Sequence, residues 1–171
     1  MKSYLIVVDM QRDFVSGALG TPEAMAILPR VKALIDGFCG EVIYTRDTHA
    51  ENYLDSREGR HLPVEHCIKG SDGWALVDGI YRSGAKIFDK PTFGSLRLVE
   101  YLEEQNEREE IRDVTLIGVC TDICVVSNAM LIKARFPEID VFVDSSACAG
   151  VTPESHEAAL TTMRMCQITV K

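Results

Sequence analysis

The chain has 171 residues, a formal net charge of −8, 46% hydrophobic and 26% charged residues. That length suits one domain with one core over residues 1–171. The acidic balance argues against nucleic acid as the main partner, because basic patches carry that affinity, and no apolar run approaches the roughly 20 residues of a membrane helix. Met1-Lys2-Ser3 runs straight into a strand-like stretch, so no signal peptide is expected. The six cysteines, Cys39, Cys67, Cys120, Cys124, Cys148 and Cys166, are then expected to stay reduced in the cytoplasm. No Cys-x-x-Cys pair exists, which leaves a zinc ribbon or thioredoxin-type motif unsupported.

Along the chain, short β-branched runs alternate with helix-like stretches. Residues 4–8 are apolar at successive positions, as in a parallel strand buried on both faces. This run ends at Asp9, followed by Gln11-Arg12-Asp13-Phe14, so the glycine-rich turn of a dinucleotide site is absent. A helix is predicted over 22–38 and a second strand over 41–45, leading into Arg46-Asp47-Thr48-His49. Residues 47–73 read as one long irregular segment holding His49, His61 and His66; Leu62-Pro63-Val64 and the Trp74 at its end argue for an ordered, functional loop. A third strand over 85–88 delivers Asp89-Lys90, and a helix spans 95–107. The fourth strand, 114–119, runs into Gly118-Val119-Cys120-Thr121-Asp122-Ile123-Cys124, where a helix over 122–136 begins. A strand over 140–143, a helix over 153–165 opened by Thr152-Pro153, and a strand over 168–170 complete the chain. The alternation predicts an α/β fold: three α/β/α layers, Rossmann-like in topology, around a mostly parallel six-stranded sheet.

In an open parallel sheet, ligands bind beyond the carboxyl ends of the strands. Four strands deliver Asp9, Asp47 with His49, Lys90 and Cys124 to that edge. A cysteine in the first turn of a helix gains thiolate character from the exposed N–H groups and the helix dipole. Lys90 adds Coulomb attraction, and Asp9 can accept the thiol proton. Asp47 and His49, two residues apart at a strand end, can point the same way. With Glu58, His61 and His66 from the following loop they could hold a Zn, Fe or Mn ion. The blander reading makes Cys124 core, Lys90 a solvated strand end and the loop histidines surface polars. A further alternative pairs Cys120 with Cys124 as redox-active thiols, which leaves Asp9 and Lys90 without a role.

Asp9-Met10-Gln11-Arg12-Asp13-Phe14, Lys90-Pro91 and Gly118-Val119-Cys120-Thr121-Asp122-Ile123-Cys124-Val125 together resemble the isochorismatase-like cysteine hydrolases over essentially the whole chain. The resemblance implies a triad of Asp9 as base, Lys90 as electrostatic partner and Cys124 as nucleophile. It implies a cis peptide between Val119 and Cys120, and an oxyanion hole from the backbone N–H groups of Cys120 and Cys124. The nucleophilic cysteine implies the amidohydrolase branch. Asp47-x-His49 and His66-Cys67 resemble the metal site of nicotinamidases, with Glu58 as a further ligand and His61 competing with His66. That branch implies nicotinamide as the small-molecule amide substrate, one divalent metal and a homo-oligomer. Phe14 would stack on the substrate ring, and Trp74 or Tyr53 would replace the aromatic wall that nicotinamidases carry at the position of Pro63. Another amide or ureido hydrolysis within the family, on an N-carbamoyl or maleamate-type substrate, is the competing activity.

Overall fold

The computed structural model describes all 171 residues. Six parallel strands, β1 (Lys2–Val8), β2 (Glu41–Asp47), β3 (Lys86–Lys90), β4 (Ile111–Val119), β5 (Asp140–Ala149) and β6 (Thr169–Val170), form one sheet in the order β3-β2-β1-β4-β5-β6. On β1, alternate side chains enter two separate cores, as the pleat requires. Tyr4, Ile6 and Val8 pack with α5 (Leu96–Arg108), α6 (Val126–Arg135) and α7 (Pro153–Met165) through Leu98, Leu102, Ala129, Ile132, Leu160 and Met163. Leu5 and Val7 face the other way. They meet α1 (Arg12–Val15), α2 (Pro22–Ala26) and α3 (Leu28–Gly37) through Val15, Ala24, Val31 and Ile35. The three-layer fold expected from the alternation is therefore present, with the direction of chain winding reversing between β1 and β4. Such a reversal opens a crevice at the carboxyl ends of the two strands, where Asp9 and the 118–124 segment emerge.

Three local features differ from the sequence expectation. The helix predicted over 22–38 is two helices meeting at Ile27, because Pro29 sits in the first turn of α3 and has no N–H to continue the ladder from α2. The segment 47–73 contains a 3₁₀ turn, Tyr53–Asp55, and helix α4 (Arg57–His61), whose start is capped by Ser56 Oγ accepting from Gly59 N at 2.9 Å. The helix predicted from 122 begins as a π-turn over Thr121–Val125 and becomes α-helical only at Val126. Gly118 is required where β4 meets β1: its φ is +115°, and a Cβ there would lie 2.1 Å from the Val8 carbonyl oxygen.

Strand β5 is longer than the four residues expected because its register against β4 shifts between Leu116 and Gly118. Asp144 holds the shifted segment. It accepts from Ser146 N at 3.1 Å and from Arg30 of α3 at 2.8 Å. Burial pushes its carboxyl up, but the bonds from Ser146 and Arg30 outweigh burial and leave the pKa below the ordinary 3.8. A carboxylate depressed in this way contributes stability above its unfolded pKa and loses it as the pH falls through the folded value. Asp144→Asn is therefore expected to cost about 1 kcal/mol near pH 7, allowing for the half-exposed Arg30. The difference should close below about pH 4 and vanish near pH 2 in urea melts of the two chains.

Candidate active site and metal-ligand cluster

The chain leaves β1 at Asp9 by entering the left-handed region, with φ at +47°. The turn aims the carboxylate sideways, toward β2 and β3. Oδ1 accepts from Thr45 Oγ1 at 2.6 Å, and Oδ2 lies 2.6 Å from Lys90 Nζ. Oδ2 has no well-aligned hydrogen-bond donor, so it is balanced by charge yet keeps a lone pair free. Lys90, the last residue of β3, is paired in register with Asp47 at the end of β2. Its buried ammonium also lies 3.6 Å from Asp47 Oδ1 and 3.4 Å from Cys124 Sγ. The structure thus brings together Asp9, Lys90 and Cys124.

Burial and neighbouring charge act against each other at all three groups. Burial opposes the charge on Lys90, but Asp9, Cys124 and Asp47 outweigh it and raise its pKa, so it stays an ammonium. Burial raises the Asp9 carboxyl, partly countered by Lys90. The Cys124 thiol is driven well above its usual range, first by burial and then by the Asp9 charge, against the pull of Lys90. Cys124 lies in a buried π-turn, so burial works against the thiolate that a helix start favours. Burial thus favours the thiol form of Cys124 and raises the basicity of the Asp9 carboxylate beside it.

Segment 119–124 carries the cis peptide between Val119 and Cys120 that the resemblance implied. Side chains fix the segment from both flanks. Thr121 Oγ1 lies 2.7 Å from His156 Nδ1 of α7, and the Asp122 carboxylate accepts from Val151 N at 3.1 Å. Buried Asn128, which the sequence reading missed, donates to the Cys124 carbonyl at 2.8 Å and accepts from Ser95 N at 2.9 Å. Its position four residues after the nucleophile, on the same helical face, was the available signal. Cys120 is a poor thiolate former, its thiol pushed up to about 12 by burial and by Asp122. All six cysteines are free.

Asp47 connects this triad to a second cluster. Its Oδ2 lies 2.9 Å from His49 Nε2 and 3.5 Å from His66 Nε2, while Glu58 Oε1 lies 3.6 Å and 3.7 Å from the same two nitrogens. One ligand atom from each of the four residues falls within 4.8 Å of all the others. His66 Nδ1 faces the Val64 carbonyl at 2.8 Å, so that nitrogen carries a proton, and Nε2 is the nitrogen turned toward the cluster. Burial pushes Asp47 up, but His49, His66 and Lys90 outweigh burial and hold it below the usual carboxylate range. Glu58 is raised by burial and by the Asp47 charge. Two imidazoles and two carboxylates, from the end of β2 and the turn just after it, α4 and the 64–67 loop, fit a divalent ion such as Zn, Fe or Mn. His66 lies within this cluster, whereas His61 lies outside it and lines the neighbouring cavity.

A cavity of about 320 Å³ lies between the cluster and Cys124. Asp47, Glu58 and His66 form one wall, Cys120 and Cys124 the floor, and Phe14, Leu19, Leu62, Phe93, Ile123 and Val151 much of the rest. Phe14 lines the cavity, with its ring centroid 5.5 Å from that of His66. Trp74 is not part of the lining. Its ring is covered by the Arg46 guanidinium, 3.6 Å from the centroid, and its indole N–H donates to Thr48 Oγ1 at 2.8 Å. Tyr53 also serves another purpose, packing 4.7 Å and 4.9 Å from the rings of His49 and His66. The second aromatic of the cavity is Phe93, three residues beyond the lysine.

A family model described as the Isochorismatase domain matches residues 3–171. The nicotinamidase of Schizosaccharomyces pombe is 26% identical over 97% of this chain and 91% of its own length. Among solved structures, a pyrazinamidase of Pyrococcus horikoshii in complex with zinc is 30% identical, covers 100% of this chain and 99% of its own, and superposes with a TM-score of 0.86. N-carbamoylsarcosine amidase from Thermoplasma acidophilum is 31% identical, covers 100% of this chain and 96% of its own, and superposes with a TM-score of 0.79.

Proposed function

We propose that this chain, which belongs to the isochorismatase domain family, is a cysteine-dependent amidohydrolase that converts nicotinamide and water to nicotinic acid and ammonia. One observation carries the reading. A thiol on the floor of an apolar cavity is backed by a buried carboxylate and a fixed ammonium, and one wall of that cavity is a cluster with the donor chemistry of a metal site. In this scheme Asp9 removes the Cys124 proton as sulfur attacks the amide carbonyl. The charge passes to the carbonyl oxygen, which the N–H groups of Cys120 and Cys124 receive. Lys90 stays protonated and offsets the negative charge that Asp9 and the thiol exchange. Asp9 then gives its proton to the departing nitrogen, releasing ammonia and leaving a thioester. It next takes a proton from the water that attacks this thioester, and Cys124 is restored with release of the acid. A divalent ion held by Asp47, His49, Glu58 and His66 would supply a Lewis-acid partner for the pyridine nitrogen.

The similarity to N-carbamoylsarcosine amidase supports a second activity within the same chemistry. The lining argues for the first. Phe14, Phe93 and the aliphatic side chains around them make most of it apolar, which suits an uncharged aromatic amide, and no lysine or arginine lines it to receive a substrate carboxylate. Ammonia release should accordingly be fast with nicotinamide and slow with N-carbamoyl acids or maleamate. Chelation is expected to raise KM for nicotinamide by at least about tenfold. A folded, metal-loaded chain that leaves nicotinamide intact would retain the family and discard this substrate.

A further inference from the structure

Strand β2 reaches two residues beyond its pairing with β1: the backbone register ends at Val8 with Thr45, whereas β2 continues to Asp47. Beyond Asp9 the chain has turned away, and the backbone of Asp47 loses its neighbour on that side just where its carboxylate must serve both Lys90 and the histidines. The side chain of Gln11 takes the vacated place. Asp47 N donates to Gln11 Oε1 at 2.7 Å, and Gln11 Nε2 donates to Asp47 O at 2.9 Å. Nε2 also donates to the Trp74 carbonyl at 2.9 Å, so both protons and the carbonyl of the amide are used. Gln11 is fully buried. A primary amide is the chemical twin of a peptide group, and here it supplies one further rung to the sheet. On the opposite side, Asp47 is in register with Lys90 of β3, and Thr48 N donates to the Lys90 carbonyl at 2.9 Å.

We propose that Gln11 is a positioning residue for metal binding: by clamping the Asp47 backbone from the β1 side, it fixes the carboxylate that joins the triad to the His49, Glu58 and His66 cluster. The proposal rests on the reading of that cluster as a metal site. Gln11→Glu keeps the shape and replaces a donor by an acceptor, setting oxygen against the Asp47 and Trp74 carbonyls. Gln11→Met removes all three bonds without that repulsion.

The test is zinc titration of metal-free protein against a chromophoric chelator, with thermal melting of each metal-free chain and with KM and kcat for nicotinamide measured after loading. The unmutated chain is expected to bind one equivalent. Gln11→Met should bind at least about tenfold more weakly, Gln11→Glu more weakly still, and KM should rise by a larger factor than kcat falls. Folded variants that bind zinc as tightly as the unmutated chain would overturn the proposal while leaving the metal site intact. No zinc binding by the unmutated chain would overturn both. Loss of folding in both variants would make Gln11 a residue of the fold alone, and would overturn the proposal too.

Discussion

Cys124→Ala is expected to lower ammonia release from nicotinamide by at least about 10⁴-fold, because removing a nucleophile that acts as one unit with its base abolishes the covalent route altogether. The fold should survive. Cys124 is buried in the larger core, and trimming a sulfur there costs about 1 kcal/mol, or about 2–4 °C in melting temperature for a chain of this size. Lys90 loses one neighbour but keeps the 2.6 Å contact to Asp9 and the 3.6 Å contact to Asp47, so no charge is left unpaired. Cys120→Ala is the informative companion. In the hydrolytic scheme Cys120 acts only through its backbone N–H, which alanine retains, and activity should stay within about tenfold. If both substitutions abolished turnover, a paired-thiol reaction would replace the scheme. Ammonia assays and melts of the three chains decide it, and a quenched reaction of the unmutated chain should show an acyl adduct on Cys124.

Asp9, Lys90 and Cys124 were legible in the sequence because each stands at or just beyond the carboxyl end of a strand, and the winding of a parallel sheet brings those ends to one edge. Asp47 and His49 were legible for a similar reason: a spacing of two keeps both side chains on one face at a strand end. The choice between His61 and His66 was not. It depends on the path of the 62–67 segment, which runs through a left-handed Cys67 at φ +49° whose N–H is tied to Asp13 Oδ2 at 2.8 Å. Trp74 was misread for a different reason. An aromatic after a histidine-rich loop suggests a substrate wall, yet the Arg46 side chain on β2 covers this ring. The burial of Cys124 was beyond sequence reasoning as well. Helix-start position is local, whereas burial is a property of the packed fold, and burial is the larger influence here. The break at Pro29 was visible in the sequence and was overridden by the apolar periodicity on either side of it.

Lys90→Met is expected to damage stability as well as turnover, which separates it from the nucleophile variant. Methionine nearly matches the lysine stem, so packing is largely kept while one buried positive charge is removed. Asp9 and Asp47 are then left as buried carboxylates without their shared cation, and leaving such groups uncompensated costs about 3–5 kcal/mol. The melting temperature should fall by about 10 °C. The pH dependence identifies the cause. In the unmutated chain the Lys90 pKa is raised, so its contribution is complete below the unfolded lysine value and is lost only as strongly alkaline pH is reached. In the variant, burial acts on Asp9 with no ammonium to oppose it, and a carboxyl raised in the fold destabilises as the pH rises above its unfolded value near 3.8. The stability gap between the two metal-free chains should therefore be small near pH 4 and widen toward pH 7 in urea melts. A gap that stays constant across that range would mean that Lys90 stabilises the site by packing rather than by charge, and the protonated-lysine role in the hydrolytic scheme would have to be abandoned.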